Sequence, residues 1–186
     1  MDKKSRAIVS AGILEPEPGW EALDDLAVIG GSRPFIMSEK NRHVLRLSYF
    51  RRKVDGALAG KVWFGPGAEG PPKHAHGGII TGVFDEIMGA ATWLAGYPIL
   101  AARVTVNFRK PIPLGQVNIY EAWVDHVDGR RVNARGHIRS ADGSIYAEGN
   151  GIFVLIELER LGKMKDEIIE LIRRAGLALP PEQKHR

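Results

Sequence analysis

Cysteine is absent from this chain of 186 residues. Its absence excludes a disulfide framework, a thiolate nucleophile and a metal site with cysteine ligands. At this length we expect one domain with terminal additions, large enough to bury a hydrophobic core.

Long apolar runs are also missing. The most apolar segment, from Gly78 to Ala95, is interrupted by Asp85 and Glu86, and no stretch approaches the roughly 18 residues of a membrane-spanning helix. The chain begins Met1-Asp2-Lys3-Lys4 without a sustained apolar run, which argues against a signal peptide. We therefore expect no membrane span and a cytoplasmic location.

Charge of one sign is only slightly in excess. The sequence has 26 Lys and Arg against 22 Asp and Glu, a formal net charge of +4. This excess suits an anionic ligand. No basic run with interleaved aromatic residues occurs, so we expect no nucleic-acid partner.

The segment from Gly78 to Ala95 predicts a helix that is apolar around most of its circumference, which is typical of a core helix. At about 100° per residue, the small or polar residues share one side: Gly78, Thr81, Gly82, Asp85, Gly89 and Thr92. The other side carries the larger apolar residues Ile79, Ile80, Val83, Ile87, Ala90 and Leu94. We expect Asp85 to lie in low dielectric, facing a gap that a ligand or another backbone approaches closely.

Two glycines, Gly77 and Gly78, stand where this helix begins. Unpaired amides at a helix N-terminus bind developing negative charge, such as that on a thioester carbonyl oxygen. The alternatives are that the glycine pair is only a tight turn and that Asp85 is a paired or capping residue. Gly77 and Asp85 are separated by about 12 Å of helical rise, too far to serve one carbonyl within a single subunit. A second subunit that supplies the Asp would solve this geometry.

A metal site was considered at His74 and His76, which are two residues apart, with Asp85 as a third ligand. No further His or carboxylate stands at a useful spacing. We therefore expect no metal and no cofactor.

The rest of the chain predicts antiparallel strands. These are His43 to Phe50, Leu58 to Phe64, Arg103 to Arg109, Val117 to Val127, Arg130 to Ser140 and Ser144 to Leu155. Turn signals at Val54-Asp55-Gly56, Asp128-Gly129 and Asp142-Gly143 separate neighbouring strands. A meander that follows one core helix indicates the α+β class, because a parallel sheet would need helices between the strands.

Three segments together carry a family resemblance: Gly70-Pro71-Pro72-Lys73-His74-Ala75-His76-Gly77-Gly78, then Asp85, then the run from Val106 to Gly115. Their joint spacing resembles the hotdog-fold thioesterases of the PaaI and THEM4-like group over about residues 43 to 156. The resemblance implies a long central helix wrapped by a curved antiparallel sheet. It also implies that two protomers pair their sheets and bind an acyl-CoA or acyl-carrier thioester at the dimer interface.

The resemblance also implies roles for individual residues. The Gly77 amide would bind the thioester carbonyl, and Asp85 of the partner would act as general base or nucleophile. His76 would shape the loop rather than transfer a proton. The other predicted substrate-binding residues are Gly78, Thr81, Pro72, Asn107 and Arg109.

One position departs from the family pattern. Members often carry Ser or Thr at the start of the strand after the central helix, where the hydroxyl helps to position water. This chain has Ala101 there, and Thr105 is not an aligned substitute. We expect the missing hydroxyl to affect the turnover rate and, to a lesser degree, whether the protein is active at all.

The predicted strand from Arg131 to Arg139 alternates strictly, with its basic and polar residues on one face. That face could hold the phosphates of coenzyme A, or it could be solvated or paired across strands with Glu121, Asp125 and Glu148.

Two flanks lie outside the predicted hotdog domain at residues 43–156. Residues 1–42 form an N-terminal arm that either covers the substrate tunnel or is irregular. Residues 157–186 contain an apolar stripe at helical spacing, which predicts a C-terminal amphipathic helix and tail.

From these residues we expect a homodimer that hydrolyses an acyl thioester. The homodimer either acts by itself or pairs with a second dimer to form a tetramer. A second enzymatic reading is a hotdog hydratase or dehydratase, which would use His76. A reading from another class is a non-catalytic acyl-CoA binding dimer, which the missing hydroxyl at Ala101 favours.

Overall fold

The computed structural model describes residues 15–23, 42–157, 165–166, 169–170 and 173. In these parts of the chain a central helix is surrounded by one sheet of seven strands. The strands are β1 (Trp20–Ala22), β2 (Leu45–Arg52), β3 (Leu58–Phe64), β4 (Ile99–Phe108), β5 (Val117–Asp128), β6 (Arg131–Arg139) and β7 (Ile145–Leu155). The helix is α1 (Gly77–Leu94), and a short 3-10 turn at Pro66–Ala68 precedes it.

The sheet is antiparallel throughout, in the order β1-β2-β3-β5-β6-β7-β4. The chain therefore forms β1 to β3 along one edge, crosses the concave face as α1, and returns to the opposite edge as β4. The predicted α+β class, with one helix wrapped by a curved antiparallel sheet, is confirmed.

Helix α1 begins and ends within one residue of its prediction. His76, in an extended conformation (φ −67°, ψ 134°), is its N-cap, and Ala95 is its C-cap. Gly96 follows at φ +85°, a left-handed conformation that glycine adopts without strain. The chain can therefore turn directly from the helix toward β4.

The buried face of α1 is rotated from the predicted one. Its buried residues are Ile80, Val83, Phe84, Ile87, Met88, Ala91 and Thr92, whereas Ile79, Ala90 and Leu94 are only half-buried. The curved sheet covers more of one flank of the helix than of the other, so Phe84 and Met88 enter the core.

Glycines on β7 allow the helix to approach the sheet closely. A Cβ added to Gly149 would overlap the ring of Phe84, and one added to Gly151 would overlap the ring of Phe153 and lie 3.1 Å from Cε of Met88. Phe84, Met88 and Phe153 are almost completely buried. Large side chains on the helix thus occupy space that the strand leaves empty.

The strand boundaries differ from prediction mainly at β4. This strand starts at Ile99, four residues before the predicted Arg103, and its pairing with β7 shifts register between Ala101 and Arg103. A bulge breaks the alternation on which the prediction relied. β4 is also largely exposed, since it lies at an edge of the sheet.

The convex face of β6 carries ion pairs to β5. Arg135 lies 3.2 Å from Asp125, Arg139 lies 3.5 Å from Glu121, and His137 lies 3.8 Å from the same Glu121. Cross-strand pairing was one of the predicted alternatives for this face. Burial lowers the pKa of His137.

The flanks fall largely outside the described residues. From the N-terminal arm, Trp20–Ala22 pairs with β2 and its Trp20 ring lies 5.6 Å from Phe50, so part of the arm extends the sheet. In the predicted C-terminal helix, residues 165, 166, 169, 170 and 173 have helical backbone. The domain boundaries stay a prediction.

The packing of Phe84 on Gly149 gives a stability test. We expect Gly149→Ala to lower the free energy of unfolding by about 1–3 kcal/mol, because the new methyl group overpacks a filled core. Urea denaturation measures the change. Asn150→Ala, one residue along on the convex face, is the matched control and should change stability by about 0.5 kcal/mol or less. Equal effects of both substitutions would contradict this description of the core.

Candidate active site

The loop before α1 is held on both sides by backbone hydrogen bonds. His76 N donates to Ala68 O at 2.8 Å, and Ala75 N donates to Ile112 O at 2.9 Å. Lys73 adopts φ +63°, and its amide donates to the Glu69 carboxylate at 2.7 Å. A non-glycine residue in the left-handed region is uncommon and costs on the order of 1 kcal/mol. The loop is thus built tightly enough to maintain a strained residue.

Gly77 is the first residue of α1 and is half-buried. Within the part of the chain that the structure describes, its amide N–H has no hydrogen-bond acceptor. An added Cβ would lie 3.5 Å from Cζ of Phe108, an ordinary contact. No contact with the described residues therefore requires glycine here, and the amide, unpaired within them, is available to a ligand.

Gly78 differs from Gly77 because its amide is already engaged. It donates to Nδ1 of His76 at 3.0 Å, and an added Cβ would lie only 3.1 Å from that same atom. The His76 side chain therefore acts as the helix N-cap, with its proton on Nε2. This contact agrees with the loop-shaping role predicted for His76, and it leaves Gly77 as the open amide.

Asp85 lies eight residues further along α1 and is exposed in the single chain, so the expectation that it is buried is wrong for one protomer. It lines a cavity of about 190 Å³ together with Gly89, Trp93 and Ala101. Surrounding protein still desolvates the carboxyl enough to raise its pKa. A helical projection gives the direction of a side chain but not what covers it.

Two threonines on the same helix, Thr81 and Thr92, do not donate hydrogen bonds to Asp85. Thr81 Oγ1 donates to Gly77 O at 2.9 Å, and Thr92 Oγ1 donates to Gly89 O at 2.6 Å. Both hydroxyls bond to backbone of the same helix. The pKa of Asp85 is accordingly raised by desolvation alone.

Sequence reasoning missed the environment of Glu86. Tyr49 on β2 donates a hydrogen bond of 2.8 Å to its Oε1 atom. Burial raises the pKa of Glu86 and the Asp85 charge adds to the rise, while the bond from Tyr49 opposes it. Glu86 also lines the cavity beside Asp85. The site therefore has two neighbouring carboxyl groups, one of them anchored by a buried tyrosine.

The other predicted substrate-binding residues are not gathered around Gly77 in the single chain. Arg109 pairs with Glu148 at 2.7 Å, and Asn107 stands opposite the same Glu148 in register. Because side chains alternate along a strand, Asn107 lies on the opposite face from Phe108, whose ring meets Gly77. Pro72 is exposed, and its carbonyl accepts a hydrogen bond from His74.

A stretch of helix surface beside Asp85 is open. Among the described residues, no atom lies within 4 Å of a Cβ added to Gly82 or to Gly89. Glycine inside a helix costs about 1 kcal/mol relative to alanine, and no contact with the described part of the chain offsets that cost. The open strip formed by Gly82 and Gly89 thus fits an approach from outside the chain.

Within the described residues, no group of three or more His, Cys, Asp or Glu side chains is arranged to hold a metal ion. In the same residues, no helix is both long and apolar enough to cross a membrane.

A long helix wrapped by a strongly curved antiparallel sheet, with an unpaired amide at the helix start, defines a hotdog-fold domain. Comparison with known proteins agrees with this assignment. Residues 72–147 match the family model described as the thioesterase superfamily. Residues 72–147 therefore resemble the hotdog-fold thioesterases, which confirms the predicted resemblance.

Curated relatives match about half of the chain. An acyl-coenzyme A thioesterase THEM4 from Xenopus laevis is 40% identical over 92 residues, which are 48% of this chain and 41% of that protein. THEM4 from Bos taurus is 30% identical over 97 residues, 52% of this chain and 40% of that protein. The chain thus matches about two fifths of the length of these relatives.

Solved structures share the fold. A thioesterase superfamily protein of known crystal structure is 30% identical, with a TM-score of 0.55 over 58% of this chain and 55% of that one. A hypothetical thioesterase from Streptococcus pneumoniae, solved with coenzyme A, is 16% identical with a TM-score of 0.54, covering 61% of this chain and 90% of that one. At this identity the second likeness shows the fold alone.

Proposed function

We propose that this protein is an acyl-CoA thioesterase that hydrolyses its substrate at the interface of a homodimer. The observation that carries the proposal is the unpaired Gly77 amide at the start of the helix that also bears Asp85. Relatives named as acyl-coenzyme A thioesterases support the substrate class.

Two protomers are needed because of the length of α1. Gly77 and Asp85 are separated by about 12 Å of helical rise, whereas groups that act on one carbonyl must reach it at hydrogen-bond distance, either directly or through one water molecule. One protomer would supply the Gly77 amide and the other would supply Asp85. Two equivalent sites would result, related by the twofold axis.

The surface beside Asp85 supports this arrangement. β4 is an edge strand with unpaired backbone groups, and it exposes Leu100 (66%) and Phe108 (54%). An open apolar edge favours pairing with another strand. The open strip at Gly82 and Gly89 lies on the same side of the molecule as Asp85, so a second copy can approach both features together.

The reaction follows from these groups. The thioester carbonyl oxygen accepts a hydrogen bond from the Gly77 N–H, which stabilises the negative charge that develops on it. As general base, the partner's carboxylate takes a proton from water, whose oxygen bonds to the carbonyl carbon; the tetrahedral intermediate then breaks its C–S bond and releases coenzyme A. As nucleophile, the carboxylate bonds to that carbon directly, expels the thiolate and forms an anhydride that water cleaves.

The raised pKa of Asp85 gives the pH dependence of both routes. Each route needs the ionised carboxylate, so hydrolysis should fall as pH decreases through this pKa, which lies above the usual value for Asp.

An acyl-carrier thioester would also be a suitable substrate, beside acyl-CoA. The cytoplasmic location and the pairing of dimers into a tetramer stay predictions from the sequence.

Removing the carboxylate tests the enzyme directly. We expect Asp85→Asn to lower kcat by about 10²–10⁴-fold, the usual contribution of a general base, while acyl-CoA binding persists. Because partial desolvation disfavours the ionised carboxylate in the folded chain, the same variant should be at least as stable as the wild type at pH 7. Free-thiol release with short-chain, long-chain and aromatic acyl-CoAs, with thermal unfolding in parallel, measures both effects.

Asp128→Asn, on an exposed hairpin far from the helix, is the matched control and should leave hydrolysis unchanged. Wild-type protein that binds acyl-CoA but releases no thiol would favour the non-catalytic binding protein instead. Undiminished hydrolysis in Asp85→Asn would exclude this residue as base or nucleophile.

The open strip gives a test of the dimer. In an isolated chain, Gly82→Ala should raise the free energy of unfolding by up to about 1 kcal/mol, because alanine favours the helix and the methyl group would overlap none of the described residues. If a second copy packs there, we expect the substitution to weaken the dimer and reduce hydrolysis. Sedimentation velocity across a dilution series measures the association. A more stable variant with unchanged association would contradict the proposed interface.

Restoring the missing hydroxyl tests the departure at Ala101. This residue is exposed and lines the same cavity as Asp85, so a hydroxyl there can hold a water molecule near the carboxylate. We expect Ala101→Thr to raise kcat several-fold, with little change in KM. Ala101→Val, which has a similar shape without the hydroxyl, is the control. An equal gain from both variants would attribute the effect to packing.

A further inference from the structure

A second depression lies on the convex face of the sheet, on the side away from α1. It has a volume of about 190 Å³, and two neighbouring cross-strand rows of side chains border it. One row runs through Arg103, Ile152, Asn133 and His126, and the next runs through Thr105, Asn150 and Arg135. We call this depression the convex groove.

The convex groove has an excess of positive charge. Its one carboxylate, Asp125, is engaged by Nε of Arg135 at 3.2 Å and by Nδ1 of His126 at 3.0 Å. Arg103 has no acidic side chain within 4.0 Å among the described residues. Among the described lining residues, two guanidinium groups therefore face one carboxylate, and this excess of positive charge favours an anionic ligand.

Hydrogen-bond donors complete the lining. The side chains of Asn133, Asn150 and Thr105 border the groove, and none of them has a hydrogen-bond partner in the described part of the chain. Arg135 uses Nε for Asp125, which leaves its terminal nitrogens available. The donors come from the three neighbouring strands β6, β7 and β4, so the sheet fixes their spacing.

We infer that the convex groove binds a phosphoryl group. A phosphoryl group carries up to two negative charges and several acceptor oxygens, so it can bridge two guanidinium groups and accept from amides and a hydroxyl at once. A carboxylate has only two oxygens and cannot engage all of these donors. The groove is also large enough for one such group with ordered water.

The site is compatible with the proposed dimer. Backbone pairing along β4 would leave the side chains of Arg103 and Thr105 on the convex face, because side chains stand perpendicular to the hydrogen bonds of the sheet. Five residues of extended strand, roughly 17 Å, separate Arg103 from Phe108, which meets Gly77. The phosphoryl group could thus belong to the coenzyme A part of the substrate or to a separate phosphorylated ligand.

Binding is tested without turnover. We expect wild-type protein to bind adenosine 3′,5′-bisphosphate and, more weakly, inorganic phosphate at low ionic strength, measured by isothermal titration calorimetry and ³¹P NMR. Arg103→Gln and Arg135→Gln should each weaken binding about tenfold, since each removes a charge-assisted contact. The matched control is Arg131→Gln, because Arg131 lies on the same face of β6 as Arg135 but outside the groove. Circular dichroism and thermal unfolding confirm that each variant is folded.

Two results would overturn the inference: wild-type protein that binds neither probe, or groove variants that bind as well as Arg131→Gln. Two other results would support it and identify the source of the phosphoryl group. A higher KM for acyl-CoA with unchanged kcat in Arg103→Gln would indicate the substrate. Lost phosphate binding with an unchanged KM would indicate a separate ligand. Because phosphate binding is measured directly, failure of hydrolysis would bear on the proposed function alone.

Discussion

The contact between α1 and β7 is the constraint on which the rest of the structure depends. Phe84 and Met88 pack where Gly149 and Gly151 have no side chains, so the helix lies close to the sheet and this contact fits the rotation that it has. That rotation brings the start of the helix against Phe108 and turns Asp85 away from the core. Tight packing on one side of the helix thus determines which groups are presented on the other.

The two parts of the candidate site, the loop before α1 and the surroundings of Asp85, differ in how completely a single chain forms them. The loop before α1 is complete by itself, with His76 capping the helix and backbone bonds to Ala68 and Ile112. The surroundings of Asp85 are incomplete in the described part of the chain, since the carboxyl is exposed and a Cβ added to the neighbouring Gly82 or Gly89 would contact no described residue. This asymmetry fits the proposed dimer, in which the oxyanion donor has to be rigid and the partner would supply the opposite wall.

Local pattern was enough to predict α1, since its apolar residues are continuous, and to predict the hairpins at Asp128-Gly129 and Asp142-Gly143, where φ is positive at glycine. Prediction failed where the outcome depends on distant parts of the chain. The bond between Tyr49 and Glu86 joins residues 37 positions apart, and no spacing rule indicates it. The early start of β4 follows from a bulge against β7, and the exposure of Asp85 depends on how far the sheet curves.

In the proposed dimer, β4 pairs with the same strand of the second copy, and each site combines the Gly77 amide of one protomer with Asp85 of the other. This arrangement would make the activity of the protein in the cell depend on its concentration. If catalysis needs both copies, specific activity is not a constant of the molecule but rises with its abundance until the dimer is saturated. Expression level, dilution and any competitor for the β4 edge would then act as switches, with no change in the catalytic groups themselves.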